Sequence, residues 1–228
     1  MLANAISNTF TQLFSPPFRS VLWKSIGLTV AMFFGLWFIL QTASSTFLLP
    51  MLAAYPWVST VLAWVLGAGI VLGMGFLIAP VTSVFAGIFL DDIAEEVEKK
   101  HYPEDTLGTP LSLSLSTGIA IRFFGLVLIG NFIALLLVLF LGLGVVIFFL
   151  MNGYLLGREY FQFAALRHHS ADQVDELRKK YSLEIFIAGM AIALLLAIPI
   201  VNLLTPLFAG ALMVHVYKGV SAKSASQL

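Results

Sequence analysis

A short segment near the start of the chain has the residue types of an anion-binding site. Pro16 and Pro17 stand just before a long apolar stretch, and proline favours the first turn of a helix because it lacks an N–H. The next three residues, Phe18, Arg19 and Ser20, then fall in the opening turn, where backbone N–H groups lack intrahelical partners and the helix dipole is positive. We predict that these residues bind an anion. The alternative is that the arginine only anchors the helix end at the lipid headgroups.

A second pattern is a stripe of small residues that recur every four positions. The stripe consists of Gly75, Ala79, Ser83, Gly87 and Asp91. Small side chains on one helix face let a neighbouring helix approach closely, which predicts a packing surface within the membrane. The alternative is a pore lining, since the same small residues would leave room for a hydrated ion.

Other reactive residue types are scarce or badly spaced for catalysis. The chain has no cysteine, which excludes disulfides and thiolate nucleophiles. His168 and His169 are adjacent and would point to different faces of a helix, which is poor geometry for a shared metal ion. Glycine-rich phosphate loops and the common hydrolase and kinase motifs are absent. The sequence therefore predicts neither an enzyme nor a bound metal or cofactor.

Arg122 could pair with an acid such as Asp91 or extend to the membrane surface.

The composition indicates what kind of elements must position these residues. Of the 228 residues, 60 % are hydrophobic and 11 % are charged, with 12 Lys and Arg against 12 Asp and Glu. Soluble domains average about 25 % charged residues, so an ordinary soluble globule and a disordered chain are both excluded. Because its net charge is zero, the chain also lacks the positive field that nucleic-acid binding requires. The chain is predicted to be an all-α integral membrane protein.

The lengths of the uncharged runs predict how often the chain crosses the membrane. Ser25 to Leu90 contains no charged residue or histidine and is long enough for two crossings of about 20 residues each, which we place at 25–48 and from 58 onward. Phe123–Gly157 and Ile185–Val214 are too long for one crossing and too short for two. Each is also interrupted near its middle by glycines or prolines. We therefore predict two long transmembrane helices and two partly penetrating, re-entrant hairpins.

These segments are predicted to form a single membrane domain over residues 1–228. All 12 Lys and Arg residues can share one face if every apolar run returns to its starting side, and we assign that face to the cytoplasm. The segments are an interfacial helix over 1–15, a long transmembrane hairpin with a cytoplasmic extension over 20–101, a first re-entrant hairpin over 111–166, an amphipathic helix over 170–181 and a second re-entrant hairpin over 183–217.

Two of the connecting segments carry more detailed predictions. Apolar residues recur at steps of three and four within 1–15, so this helix lies in the membrane interface or, alternatively, packs on the rest of the protein. Ser170 and Gln173 have the spacing of a capping box, which predicts that the 170–181 helix starts there.

Four stretches of the chain, taken in order, resemble the CysZ sulfate-transporter family, which is related to the etoposide-induced-protein family of eukaryotes. The resemblance extends from about Leu13 to Lys218. The stretches are Ser15-Pro-Pro-Phe-Arg-Ser20, Ile78-Ala-Pro80 followed by Gly87, Asn152-Gly-Tyr-Leu-Leu-Gly-Arg-Glu-Tyr160 and Pro199-Ile-Val-Asn-Leu-Leu-Thr-Pro206.

This resemblance implies a multi-pass protein of the bacterial inner membrane that admits sulfate for sulfur assimilation and cysteine biosynthesis. It also implies a homo-oligomer with two long transmembrane helices and two partly penetrating hairpins, and a sulfate site at Phe18, Arg19 and Ser20. Sulfate or a related oxyanion, the lipid bilayer and other copies of the chain are the predicted partners, and nucleic acid is not. The family has a glycine where this chain has Pro17, and a second arginine where it has Ser20. The alternative function is a non-transporting membrane scaffold that shapes or senses lipid.

Overall fold

The computed structural model describes residues 2–48, 51, 55–61, 63–65, 67–69, 81–82, 88–112, 114–115, 118, 125, 129, 144–198 and 201–226. Within these ranges the chain is helical apart from its connections, which confirms the all-α prediction for this part. The helices are α1 (Leu2–Leu13), α2 (Pro16–Ala43), α3 (Leu90–His101), α4 (Gly144–Leu166), α5 (Ala171–Lys180), α6 (Ser182–Leu196) and α7 (Thr205–Ala225), with a π-helical turn at Ser44–Leu48 and a 3-10 turn at Val201–Leu204.

The chain divides into two compact units. One is formed by Met1–Leu22 together with Ala86–Leu228, and the other by Trp23–Phe85. The helix α2 begins in the first unit and ends in the second.

The described part of the Trp23–Phe85 unit includes most of a helix that is long and apolar enough to cross a membrane. Its helix α2 has 28 residues, so it is about 42 Å long, which exceeds the roughly 30 Å of a hydrocarbon layer. Most of its large apolar side chains are exposed, including Phe34 and Phe38, as is expected of a helix that contacts lipid. The hydroxyl oxygen of Thr82, a residue of the second predicted helix, lies 3.0 Å from the hydroxyl oxygen of Thr29. Because the Thr29 hydroxyl donates to the Ser25 carbonyl, Thr82 is the donor in this bond.

The larger unit is built around α7. Every residue from Thr205 to Lys218 is buried, and the helix packs against α1, α3, α4 and α6. By length and composition, two stretches of the described chain could cross a membrane, namely Pro16–Phe47 and Val201–Ala225. The second of these is mostly enclosed by protein.

Glycines set the close contact between α4 and α6. A Cβ atom at Gly157 would lie 2.6 Å from the carbonyl oxygen of Ile185, and one at Gly189 would lie 2.8 Å from the Cα of Gly157. Gly153 and Gly157 have the GxxxG spacing that permits such backbone approach between membrane helices. No side chain larger than hydrogen fits at Gly157 or Gly189 without moving a backbone.

The interruption predicted in the second of the two shorter apolar runs is present, because α6 ends at Leu196 before α7 begins at Thr205, with Pro206 in the first turn of α7. In the first run, residues 130–143 lie outside the described residues, so its interruption stays a prediction. Pro199 lies outside the described residues. With 15 residues α6 is about 22 Å long, whereas α4 is longer than expected because it continues past Arg158 to Leu166. The depth to which either hairpin enters a membrane stays a prediction.

The structure also tests predictions made for the two amphipathic helices, α1 and α5. The buried face of α1 packs on α7, and the ring of Phe10 lies 5.0 Å from that of Phe208, as the packed alternative expects. Contact of α1 with a membrane interface stays a prediction. In α5 the capping box between Ser170 and Gln173 is confirmed, and Val174 is buried in the core.

Candidate functional site

The predicted anion site lies at the start of α2, where three residues differ in their exposure. The Phe18 side chain is only 2 % exposed and belongs to the hydrophobic core, so it anchors the helix start. Arg19 and Ser20 are exposed. Within the part of the chain that the structure describes, the Arg19 guanidinium makes no ion pair and no side-chain hydrogen bond, so its charge is available to a ligand.

Fewer backbone donors are available at this helix start than the sequence suggested. Pro16 and Pro17 carry no N–H, and the N–H of Arg19 donates to the Ser15 carbonyl oxygen at 3.0 Å. Phe18 is therefore the first residue of the helix with an amide to offer. An anion at this position would depend more on the side chains of Arg19 and Ser20 than on a ring of amides.

Buried polar contacts hold this end of α2 in place. Only two residues separate α1 from α2, and the last turn of α1 contributes the buried Gln12. Its side-chain oxygen lies 3.4 Å from Nε2 of His215 on α7, and Nδ1 of the same ring lies 2.9 Å from the Tyr102 hydroxyl. The helix start is thus connected to the C-terminal end of α3 as well as to α7.

The small-residue stripe lies mostly outside the described residues. This holds for Gly75, Ala79, Ser83 and Gly87, so the choice between a packing surface and a pore lining stays a prediction. Asp91 is described, and its carboxylate pairs with the guanidinium of Arg167.

Asp91 is part of a buried ion cluster that the sequence reasoning missed. The cluster consists of Asp91 and Glu98 on α3, Gly108 in the following loop, and Arg167 and His168 after α4. Nη2 of Arg167 lies 3.2 Å from Oε2 of Glu98 and 3.3 Å from the carbonyl oxygen of Gly108. Oε2 of Glu98 also accepts the Gly108 N–H at 3.0 Å, and Oε1 lies 2.8 Å from Nε2 of His168.

Arg122 lies outside the described residues, so its pairing with an acid or its extension to the membrane surface stays a prediction. Within the described residues Asp91 pairs with Arg167. The placement of His168 and His169 on different faces of a helix was wrong, because α4 ends at Leu166. Both rings instead contact Tyr217, at centroid distances of 5.0 Å and 5.7 Å.

One sequence signal could have indicated the cluster. Glu98 falls on the apolar face of α3, beside Ala94 and Val97, all of which are buried. A carboxylate on a buried face needs a cation or strong donors. The signal therefore predicts that a partner exists, although it does not say which residue supplies it.

The electrostatics of Glu98 follow from its surroundings. Burial on its own raises the pKa of this carboxyl, because the charged form loses hydration. The hydrogen bonds from His168 and from the Gly108 N–H, together with the charge of Arg167, outweigh that effect and lower the pKa to about 2. Glu98 is thus ionised in the folded protein at any ordinary pH, and the cluster connects α3, the 108 loop and the end of α4.

We expect Glu98 to make the folded protein sensitive to acid. Its pKa is about 2 in the folded state against 4.5 ordinarily, so its contribution to stability is complete above pH 4.5 and is lost as the pH falls toward 2. The stability advantage of the wild type over Glu98→Gln should shrink by about 2 kcal/mol between about pH 6 and pH 3. Thermal unfolding in detergent measures this, with Glu95→Gln, at a half-exposed position of the same helix, as the control. An advantage that does not change with pH would contradict the expectation.

A comparison with known protein families matches a part of the chain that contains both the start of α2 and the ion cluster. A family model described as Sulfate transporter CysZ/Etoposide-induced protein 2.4 matches residues 5–206. The chain belongs to the CysZ/etoposide-induced protein 2.4 family. The resemblance noted in the sequence is thereby confirmed, and the match includes the start of α2 and the whole ion cluster. No curated protein was found to match the chain.

Membership of the CysZ/etoposide-induced protein 2.4 family is consistent with the fold. It is a transporter family, and the exposed apolar surface of α2 fits a protein that resides in a membrane. An ion or oxyanion is the substrate class that this membership suggests.

Proposed function

We propose that this protein is a sulfate permease or channel of the bacterial inner membrane, which supplies sulfate for sulfur assimilation and cysteine biosynthesis. The observation that carries the proposal is the charge of Arg19, which is exposed and makes no ion pair among the described residues, at the start of a helix long enough to cross the membrane. The family match supports sulfate as the anion.

In this proposal Arg19 supplies the charge that selects a divalent anion. The hydroxyl of Ser20 and the N–H of Phe18 complete the site as hydrogen-bond donors. The replacement of the family glycine by Pro17 removes one amide donor, and Ser20 replaces a second positive charge with a neutral donor. Sulfate is therefore held by one guanidinium, which favours a weak site from which the ion leaves rapidly.

The proposed transport is passive, and several copies of the chain form the assembly. No phosphate-binding loop occurs in the sequence, so sulfate would follow its electrochemical gradient or a coupled ion. The charged connections face the cytoplasm in this proposal, which gives the helix start access to one side of the membrane.

Uptake of labelled sulfate into proteoliposomes tests the proposal. The wild type should take up sulfate faster than empty liposomes, and Arg19→Ala should lower the initial rate at least about tenfold, since it removes charge-assisted hydrogen bonds to the anion. Arg19→Lys keeps the charge and should retain part of the rate. Lys179→Gln removes an equal charge from an exposed position and serves as the matched control.

Two results would count against different parts of the proposal. Uptake equal to that of empty liposomes would exclude transport and favour the scaffold interpretation. Normal uptake by Arg19→Ala would leave transport intact and remove the site from the start of α2. Selenate and phosphate added as competitors establish how strictly the protein selects sulfate.

A further inference from the structure

A polar cleft lies between α4 and α5, and its residues are not those of the helix start discussed above. Its volume is about 210 Å³, and its polar lining comes from Arg158 and Gln162 on α4 and from Asp175 and Arg178 on α5. A water molecule occupies about 30 Å³ in the liquid, so the cleft has room for a tetrahedral oxyanion with some of its hydration.

Two guanidinium groups and one carboxylate line the cleft, and the carboxylate of Glu159 lies beside one of the two guanidinium groups. Nη1 of Arg178 donates to the Gln162 side-chain oxygen at 3.1 Å, and Nη2 lies 2.7 Å from Oδ1 of Asp175. These two contacts orient the guanidinium and use only two of its five N–H groups. Arg178 is therefore held in place with donors to spare.

Arg158 is the less satisfied of the two arginines. Its Nε is buried and has no hydrogen-bond partner among the described residues. Arg158 forms an ion pair with Glu159, whose Oε1 lies 3.9 Å from that Nε, a distance too long for a hydrogen bond. Buried donors without partners are rare in folded proteins, so this Nε has a donor that a ligand could satisfy.

The face of α4 that leads to Arg158 indicates where such a ligand would lie relative to a membrane. Val146, Leu150 and Tyr154 precede Arg158 at steps of four residues, and all three are exposed. Along this face, apolar side chains are followed by a tyrosine and then by an arginine. The same order of residue types is found on membrane helices from the hydrocarbon layer to the headgroup layer. If α4 enters a membrane along this face, Arg158 lies at the depth of the lipid phosphates.

We propose that this cleft binds a phosphate-type oxyanion between Arg158 and Arg178. The anion is supplied either as the headgroup phosphate of an anionic lipid or as free phosphate, and the exposed face of α4 favours the lipid. Guanidinium groups suit such a ligand because their paired N–H groups match two of its oxygens.

Calorimetric titration of the full-length protein in an uncharged detergent tests the proposal. The probes are dioctanoyl phosphatidylglycerol, dioctanoyl phosphatidylcholine and inorganic phosphate, each at constant ionic strength. Phosphatidylglycerol should bind saturably, and the double variant Arg158→Gln/Arg178→Gln should weaken its binding at least about tenfold. Lys179→Gln, exposed on the same helix, should stay within about twofold of the wild type.

A second variant keeps the test decisive if the double variant fails to fold. Gln162→Glu retains both arginines and places a carboxylate in the cleft, so it should also weaken phosphatidylglycerol binding without removing a cation. Binding of phosphatidylglycerol alone identifies a lipid site, and binding of inorganic phosphate with the same dependence on the arginines identifies a site for the free anion. Equal binding of phosphatidylcholine, or binding that neither variant changes, would overturn the proposal.

Discussion

Replacing Arg167 by Met is expected to lower the free energy of unfolding by about 3–5 kcal/mol, the usual cost of removing one partner from a buried ion pair. The Arg167 and Glu98 side chains are each only 1 % exposed, so water cannot take the place of the lost guanidinium. Without it, Glu98 keeps the donors of Gly108 and His168, but it loses its nearest cation, as does Asp91. Unfolding of the purified protein in mild detergent, followed by circular dichroism, measures the change.

A surface ion pair on α3, the helix that carries Glu98, is the control for Arg167→Met. Lys99 pairs with Glu95 across one helical turn, with 53 % and 42 % of these side chains exposed. Lys99→Met should therefore cost less than about 1 kcal/mol. Adding Glu98→Gln and Asp91→Asn to Arg167→Met should restore much of the lost stability, because no unpaired charge then stays buried. Equal effects of Arg167→Met and Lys99→Met would show that the cluster does not hold the α3 and α4 ends together.

Replacing Gly189 by Val is expected to destabilise the protein by about 3 kcal/mol or more, at the upper end of the cost of overpacking. The Cβ would fall against the Gly153 carbonyl oxygen and 2.8 Å from the Gly157 Cα, and both of these are backbone atoms. A flexible side chain could rotate away from such a clash, but here the helices α4 and α6 must separate. The melting temperature and the fraction of monodisperse protein in detergent both report the effect.

Gly35 on α2 provides the control for the glycine substitution. A Cβ at Gly35 would meet nothing within 4 Å, so Gly35→Ala adds only helix propensity and should be neutral or stabilising by up to about 1 kcal/mol. If Gly189→Val behaved like Gly35→Ala, the close approach of α4 and α6 would be absent from the protein in solution.

Features that depend on local sequence were well predicted. Pro16 and Pro17 indicated the start of α2, and the prolines of the 185–214 run indicated the break between α6 and α7. The capping box at Ser170 was predicted in the same way. Each signal acts within a few residues, because proline geometry and capping bonds are properties of the local backbone. The membrane class followed from composition, which needs no three-dimensional information at all.

Partnerships between distant segments were not predictable from the same signals. Asp91 and Arg167 are 76 residues apart, and the choice of Arg167 over any other basic residue depends on how α3 and α4 pack around α7. Likewise, glycines occur throughout the apolar runs, and their spacing alone did not show that Gly189 faces Gly157. For the start of α2, the sequence placed Arg19 in the opening turns of the helix, but its N–H bond to Ser15 became visible only in the structure.

The burial of α7 has a consequence for how the protein is made. Ribosomes synthesise chains from the N-terminus at about 5–20 residues per second, so α1, α3, α4 and α6 are all translated before Thr205 is reached. The helix around which these four pack is thus the last of the described helices to be synthesised. The packing of these four helices around α7 can therefore be completed only after Thr205–Ala225 has been synthesised, and a nascent chain stalled before Thr205 would leave the faces that contact α7 uncovered.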